Sequence, residues 1–199
     1  MISDDGYIKF NCTLREATPP NAESLSALNG WRTQLHSIGL VGMYPDGIGY
    51  GNVSQRIEGN QFLISGTATG AYKTLNNTHY VTVDSFNIDD NSLTCSGLVN
   101  ASSESLSHAA IYRSSPLVQY VLHIHHEALW TKHYNRYPTT SSDISYGTPE
   151  MAYALEKIMH GLSDFPQLII MGGHREGVIA CGSDLSQTAN LLLELVHKL

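Results

Sequence analysis

The sequence predicts a single α/β domain built on a mixed, largely antiparallel sheet covered by helices. Three observations carry this expectation. Short apolar runs separated by turn residues recur along the chain, and several read as hairpins. Four or five other segments place apolar residues at three- and four-residue steps, as amphipathic helices do. The two kinds of segment do not follow the simple strand–helix–strand alternation of a doubly wound parallel sheet. The chain has 199 residues, the length of one domain, so one domain over 1–199 is expected. Hydrophobic residues make up 42% and charged residues 15%, which allows a core and is too few charges for a disordered chain.

The elements follow in order. The stretch up to Pro19-Pro20 reads as irregular. From Asn21 to about Leu40, the residues Leu25, Leu28, Trp31, Leu35 and Ile38 mark a helix, with Asn21 as N-cap and Gly39 near its end. A glycine-rich loop runs from Asp46 to Asn52. Val53–Ile57 and Gln61–Ser65 form a hairpin around the Glu58-Gly59-Asn60 turn. The loop Gly66-Thr67-Ala68-Thr69-Gly70 comes next, then strands at Tyr80–Val83 and Ser92–Cys95 around the turn Asp89-Asp90-Asn91. Ser102-Ser103-Glu104 opens a helix to about Arg113, because serine caps free amides and glutamate complements the positive end of the dipole. Leu117–His125 is a strong strand, followed by a short helix around Glu127–Tyr134 and a polar loop from Asn135 to Gly147. Thr148-Pro149-Glu150 starts a helix reaching about Leu162. Leu168–Met171 and Val178–Cys181 are two more strands, and Ser183 or Asp184 starts the last helix.

Composition narrows the function. Lys plus Arg total 11 against 18 Asp plus Glu, a formal charge of −7. That balance argues against gripping a nucleic-acid backbone or an anionic membrane. No apolar run approaches the roughly 18 residues of a membrane span. Met1-Ile2-Ser3-Asp4-Asp5-Gly6 lacks the basic and apolar regions of a signal peptide. Cys12, Cys95 and Cys181 suggest neither a disulfide framework nor a CxxC zinc site. A cytoplasmic soluble protein is the expectation, and the sequons at Asn11, Asn52, Asn76 and Asn100 are then chance composition.

The unusual count is histidine, ten in all. In the strand ending His123-Ile124-His125-His126, residues two apart share a face, so His123 and His125 point together and His126 points away. A shared metal would bind both rings in their neutral form. Spacing alone leaves two readings, a metal pair or two half-exposed histidines at a strand end. A third ligand could come from His108, His133, His160 or His174, and less readily from His36, His79 or His197. His174 sits in a glycine-rich turn between two apolar strands, where backbone can approach a ligand closely. His126-Glu127 does not extend to HExxH, because the fifth residue is Trp130. Three histidines with one open position would make a catalytic site that polarises a carbonyl or stabilises an enediolate. Glu104 is the acidic residue best set for proton transfer, although from spacing and setting alone an ordinary first-turn glutamate is the better reading.

Five segments then match a known family in order. They are Gly51-Asn52-Val53-Ser54, Leu63 to Gly70, Ala101-Ser102-Ser103-Glu104, His123-Ile124-His125 and the glycine-flanked His174. Over about residues 22–197 the chain resembles the class II aldolase/adducin head family, whose members include sugar-phosphate aldolases and epimerases. The resemblance implies a three-layer α/β/α fold with a mostly antiparallel central sheet, assembled as a homotetramer. It implies a divalent metal, typically Zn2+, on His123, His125 and His174, with Glu104 as the catalytic acid/base. It places Asn52, Ser102 and Ser103 on a substrate phosphate, with Thr67, Thr69 and Gly70 completing that pocket. Hydroxyls, an amide and backbone N–H groups make such an anion site without Lys or Arg.

Two departures stand out. Arg175 and Glu176 separate His174 from Gly177, where the family commonly has glycine directly after the histidine, and the loop at 67–70 is two residues longer than its simple form. Tyr134, Tyr137 and Tyr146 are the candidates for a catalytic tyrosine that reaches a neighbouring subunit. The implied activity is that of a lyase of carbohydrate metabolism, cleaving or forming a C–C bond in a small hydroxy-ketone or sugar phosphate. A dehydratase or epimerase could use the same site, and a non-catalytic, adducin-like interaction domain would not need the ligands.

Overall fold

The computed structural model describes residues 7–199. The chain opens with β1 (Asn11–Glu16) and α1 (Ala22–Ser37), followed by the two-residue strands β2 (Gly42–Met43) and β3 (Gly49–Tyr50). Two antiparallel pairs follow, β4 (Asn52–Arg56) with β5 (Phe62–Ser65) and β6 (Tyr80–Asn87) with β7 (Ser92–Gly97). Next come α2 (Ser105–Ser114), β8 (Tyr120–His125), α3 (Glu127–His133) and α4 (Pro149–Met159). The chain closes with β9 (Gln167–Ile170), β10 (Gly177–Gly182) and α5 (Leu185–His197).

Eight strands form one sheet in the order β1-β7-β6-β5-β4-β8-β10-β9, and β2 pairs with β3 separately. Every neighbouring pair in the large sheet is antiparallel except β1 with β7, so the sheet is mixed as the sequence predicts. One face packs on α2 and α4, through Ala109, Ile111, Met151 and Leu155. The other packs on α1, α3 and α5, through Leu28, Leu35, Leu129 and Leu192. The result is the expected three-layer arrangement. Strand alternation sorts β8 between the layers: Val121 joins the first core, Leu122 and Ile124 the second.

Three local expectations are corrected. Asn11–Glu16 is a strand and not irregular chain; its residues are mostly exposed, so no apolar alternation marks it, and only backbone pairing with β7 makes it extended. The helix after Ser102-Ser103 begins at Ser105, which puts Glu104 at the N-cap, where its side chain makes no capping bond. The glycine-rich stretch contains β3, which pairs with β2 just before it in a hairpin too short to carry a pattern.

Helix α1 begins as predicted, with the Asn21 side chain accepting from Glu23 N–H at 2.9 Å. Its buried face includes one charge, Arg32, only 1% exposed. The Arg32 guanidinium donates to the carbonyls of Thr69 (3.0 Å), Lys73 (2.9 Å) and Tyr72, and so holds the loop after β5. A turn later His36 Nε2 lies 3.1 Å from the Gly70 carbonyl.

Candidate active site

The site forms where the ends of β4, β8 and the β9–β10 turn meet the start of α2. Asn52 and His123 are register partners across β4 and β8, so their side chains share a face. His125 pairs with Gly177, the first residue of β10, which brings the β9–β10 turn beside the end of β8. His174 lies in that turn. Its N–H donates to the Met171 carbonyl at 3.2 Å, and its carbonyl accepts from Gly177 N–H at 2.9 Å. With Arg175 and Glu176 between it and Gly177, His174 still lies beside His123 and His125.

His123, His125 and His174 are buried, and one ligand nitrogen from each lies within 4.8 Å of the others. Their ring centroids are 4.9 Å (123–125), 5.1 Å (123–174) and 4.7 Å (125–174) apart. Burial, and then the neighbouring His125, His174 and His108, hold the His123 pKa well below its ordinary value. His123 is therefore neutral, the form that binds metal. Its Nε2 is buried and meets no hydrogen-bond partner among the described residues. A lone pair left this way is costly in a protein interior, and a cation would satisfy it. The set therefore fits a divalent metal, with three nitrogens and room for a further ligand.

Glu104 faces this group. Its Oε2 accepts from Ser107 Oγ at 2.5 Å, and its Oε1 lies 3.6 Å from His174 Nδ1. Ser107 is one turn into α2, so the helix start aims the carboxylate inward instead of at its own amides. Asn52, Thr67, Thr69, Gly70, Ser102 and Ser103 line one cleft together with Glu104 and the three histidines. Neither Lys nor Arg is among the described residues that line it. Thr69 Oγ1 donates to the Gly66 carbonyl at 2.8 Å, so its proton is committed inside the loop. Two glycines are required here. Gly51 has φ +75°, and a Cβ on it would meet Val41 at 2.9 Å; a Cβ on Gly70 would collide with the Gly42 carbonyl.

The other histidines have local roles. His126 caps α3, accepting from Leu129 N–H at 3.1 Å, in keeping with its exclusion by strand alternation. His108 is buried beneath the site, its Nδ1 2.6 Å from Ser54 Oγ, and burial lowers its pKa to about 3. His160 ends α4, and His79 completes a capping box with Asn76. Of the tyrosines, Tyr146 is buried and stacks on His174 at 4.7 Å, with Lys9 Nζ 3.9 Å from its ring centroid. Tyr134 packs on Trp130 and Tyr137 on His133, and neither lines the cleft.

Sequence reasoning missed Tyr7, which lines the cleft, and the pair Tyr44 and Glu176. Tyr44 Oη donates to Glu176 Oε2 at 2.8 Å and lies 2.8 Å from His125 Nδ1. These residues are 132 positions apart, and no local pattern links them.

The chain belongs to the class II aldolase and adducin N-terminal domain family, whose model matches residues 46–198. Solved structures share the fold at low identity. An L-fuculose 1-phosphate aldolase is 17% identical, with a TM-score of 0.66, 90% of this chain and 84% of that one being covered. YgbL of Klebsiella pneumoniae, described as a candidate aldolase, epimerase or decarboxylase, is 16% identical with a TM-score of 0.64, covering 88% and 86%. A sugar-phosphate aldolase from Thermotoga maritima is 14% identical with a TM-score of 0.59, covering 88% and 95%. No curated protein matches the chain by sequence.

Proposed function

We propose that the protein is a metal-dependent lyase of the class II aldolase type, a single domain that cleaves or forms a C–C bond in a small hydroxy-ketone or sugar phosphate. The observation that carries this reading is the convergence of three buried histidines from two separate segments, with the Glu104 carboxylate against them. His123, His125 and His174 would hold the ion, and an all-imidazole donor set suits zinc. When bound, such an ion supplies Lewis-acid polarisation of a substrate carbonyl.

The chain's own groups do the rest. Glu104 Oε1 is the atom that would take and return the proton, with Oε2 held by Ser107. Asn52, Ser102, Ser103, Thr67 and the backbone at Thr69-Gly70 would hold the anionic end of the substrate. Hydroxyls, an amide and N–H groups bind an anion without the long cationic side chains that would otherwise fill the cleft.

A second reading keeps the site and changes the reaction. The name carried by YgbL, which shares this fold, includes epimerase and decarboxylase, and one such site supports several chemistries. Among the described residues no helix is long and apolar enough to cross a membrane. A cytoplasmic homotetramer is part of the proposal, and light scattering of the purified protein tests the assembly.

Metal analysis tests the central claim. About one divalent ion per chain is expected, with loss of that ion in His123→Ala. Unchanged metal content in the variant refutes the ligand assignment, and no binding even after reconstitution favours an adducin-like interaction domain. Product analysis on a panel of sugar phosphates separates cleavage from epimerisation, dehydration and decarboxylation.

A further inference from the structure

We propose that Tyr44 and Glu176 are positioning residues for His125, forming a carboxylate–phenol–imidazole chain that keeps the ring proton on Nδ1 and the lone pair on Nε2. The inference rests on the metal-site reading above and adds to it the device that sets one ligand's tautomer.

The direction of the hydrogen bonds decides the argument. Tyr44 Oη has one proton, and it points to Glu176 Oε2 at 2.8 Å, since a carboxylate accepts and does not donate. The phenol oxygen then accepts from His125 Nδ1, also at 2.8 Å. His125 must therefore carry its proton on Nδ1. In a neutral imidazole the other nitrogen then holds the lone pair. Histidine ligands in general have the second ring nitrogen fixed by an acceptor, often a carboxylate; here a phenol stands between the two.

Three separate pieces of backbone are built to meet at this phenol. Tyr44 lies in the β2–β3 turn, where its N–H donates to the Ile48 carbonyl at 2.8 Å and its carbonyl accepts from Gly47 N–H at 2.9 Å. His125 ends β8. Glu176 lies in the β9–β10 turn at φ +69°, a left-handed conformation that non-glycine residues seldom adopt. That conformation is held by the Glu176 carbonyl, which accepts from His126 N–H at 2.9 Å. Glu176 is one of the two residues, with Arg175, between His174 and Gly177. Its neighbour Arg175 turns to the surface and pairs with Glu127, whereas Glu176 turns inward to Tyr44. The turn that carries His174 thus also contributes, through Tyr44, a carboxylate to His125.

The test uses the full chain labelled with 15N-histidine, metal-free and titrated with zinc against a competing chelator. The native protein should show His125 protonated on Nδ1 before metal is added, and zinc should bind through Nε2. Tyr44→Phe and Glu176→Ala should give mixed tautomers and weaken zinc binding by about 10–100-fold. Glu176→Gln keeps an acceptor for the phenol and should fall between these and the native protein. Arg175→Ala removes the neighbouring ion pair and should leave affinity within about twofold, which separates the chain from general disturbance of the turn. His125 protonated on Nε2 in the native protein overturns the proposal, as does unchanged tautomer and affinity in Tyr44→Phe. A native protein that binds no zinc but keeps the Nδ1 proton would overturn the metal reading and leave the relay standing.

Discussion

Replacing Arg32 should unfasten the loop after β5 while leaving the three site histidines in place. The guanidinium is buried and donates to three carbonyls between Thr69 and Lys73. Hydrogen bonds from a charged donor are worth about 1.5–3 kcal/mol each, but returning the charge to water recovers several kcal/mol. A net loss of about 2 kcal/mol for the head group is reasonable. The buried stem beyond Cβ adds two methylenes at about 0.8 kcal/mol each, again about 2 kcal/mol. Arg32→Ala should then cost about 4 kcal/mol and Arg32→Met about 2 kcal/mol. At roughly 2–4 °C per kcal/mol for a domain of this size, Tm should fall by about 8–16 °C in the alanine variant. Urea and thermal unfolding measure both values, and metal content and KM are read on the same samples. KM should rise, because Thr67, Thr69 and Gly70 lie on the loosened loop, while metal stays bound. An alanine variant within 1 kcal/mol of the native protein would refute the reasoning. A methionine variant as damaging as alanine would show that the stem contributes nothing.

Two further outcomes follow from the site. Glu104→Gln should retain metal and lose turnover by about 10²–10⁴-fold, the usual scale of general acid–base catalysis, and a fully active variant would sink that role. Ser107→Ala, which frees one carboxylate oxygen, should lower turnover by less. His108 is buried and neutral in the folded protein, with its pKa lowered to about 3. The unfolded chain takes up this proton near pH 6.5 and the folded protein only near pH 3, so stability falls as pH drops between the two. The expected slope from this group is about 1.4 kcal/mol per pH unit, read by urea unfolding across that range. His108→Gln should flatten the profile by that amount, and an unchanged slope would contradict it.

How far the molecule is legible in its residues differs between its parts. Alternation in Val121–His125 assigns His123 and His125 to one face, and the same rule turns His126 away, where it caps α3. Apolar periodicity marks α1, α4 and α5 because their buried stripes are long enough to repeat. β1 carries no such stripe and is extended only through its partner. Glu104 looks like an ordinary helix-start carboxylate, and its capping bond is missing because the side chain is taken by Ser107. Arg32 reads as a charge on a helix and is instead the buried clasp of a loop roughly forty residues further on.

The sequence by itself determined the fold class, the strand face that presents two histidines and the order of the motifs, because these follow from short-range periodicity. Only the tertiary structure decided that His174 joins the pair, that the Asn52, Ser102 and Thr67 segments line the same cleft, and that Tyr44 connects Glu176 to His125. Those relations depend on the β4–β8–β10 register, which aligns residues far apart in the chain. Register is set by the packing of the whole sheet between its two helical layers, and no window of local sequence contains it.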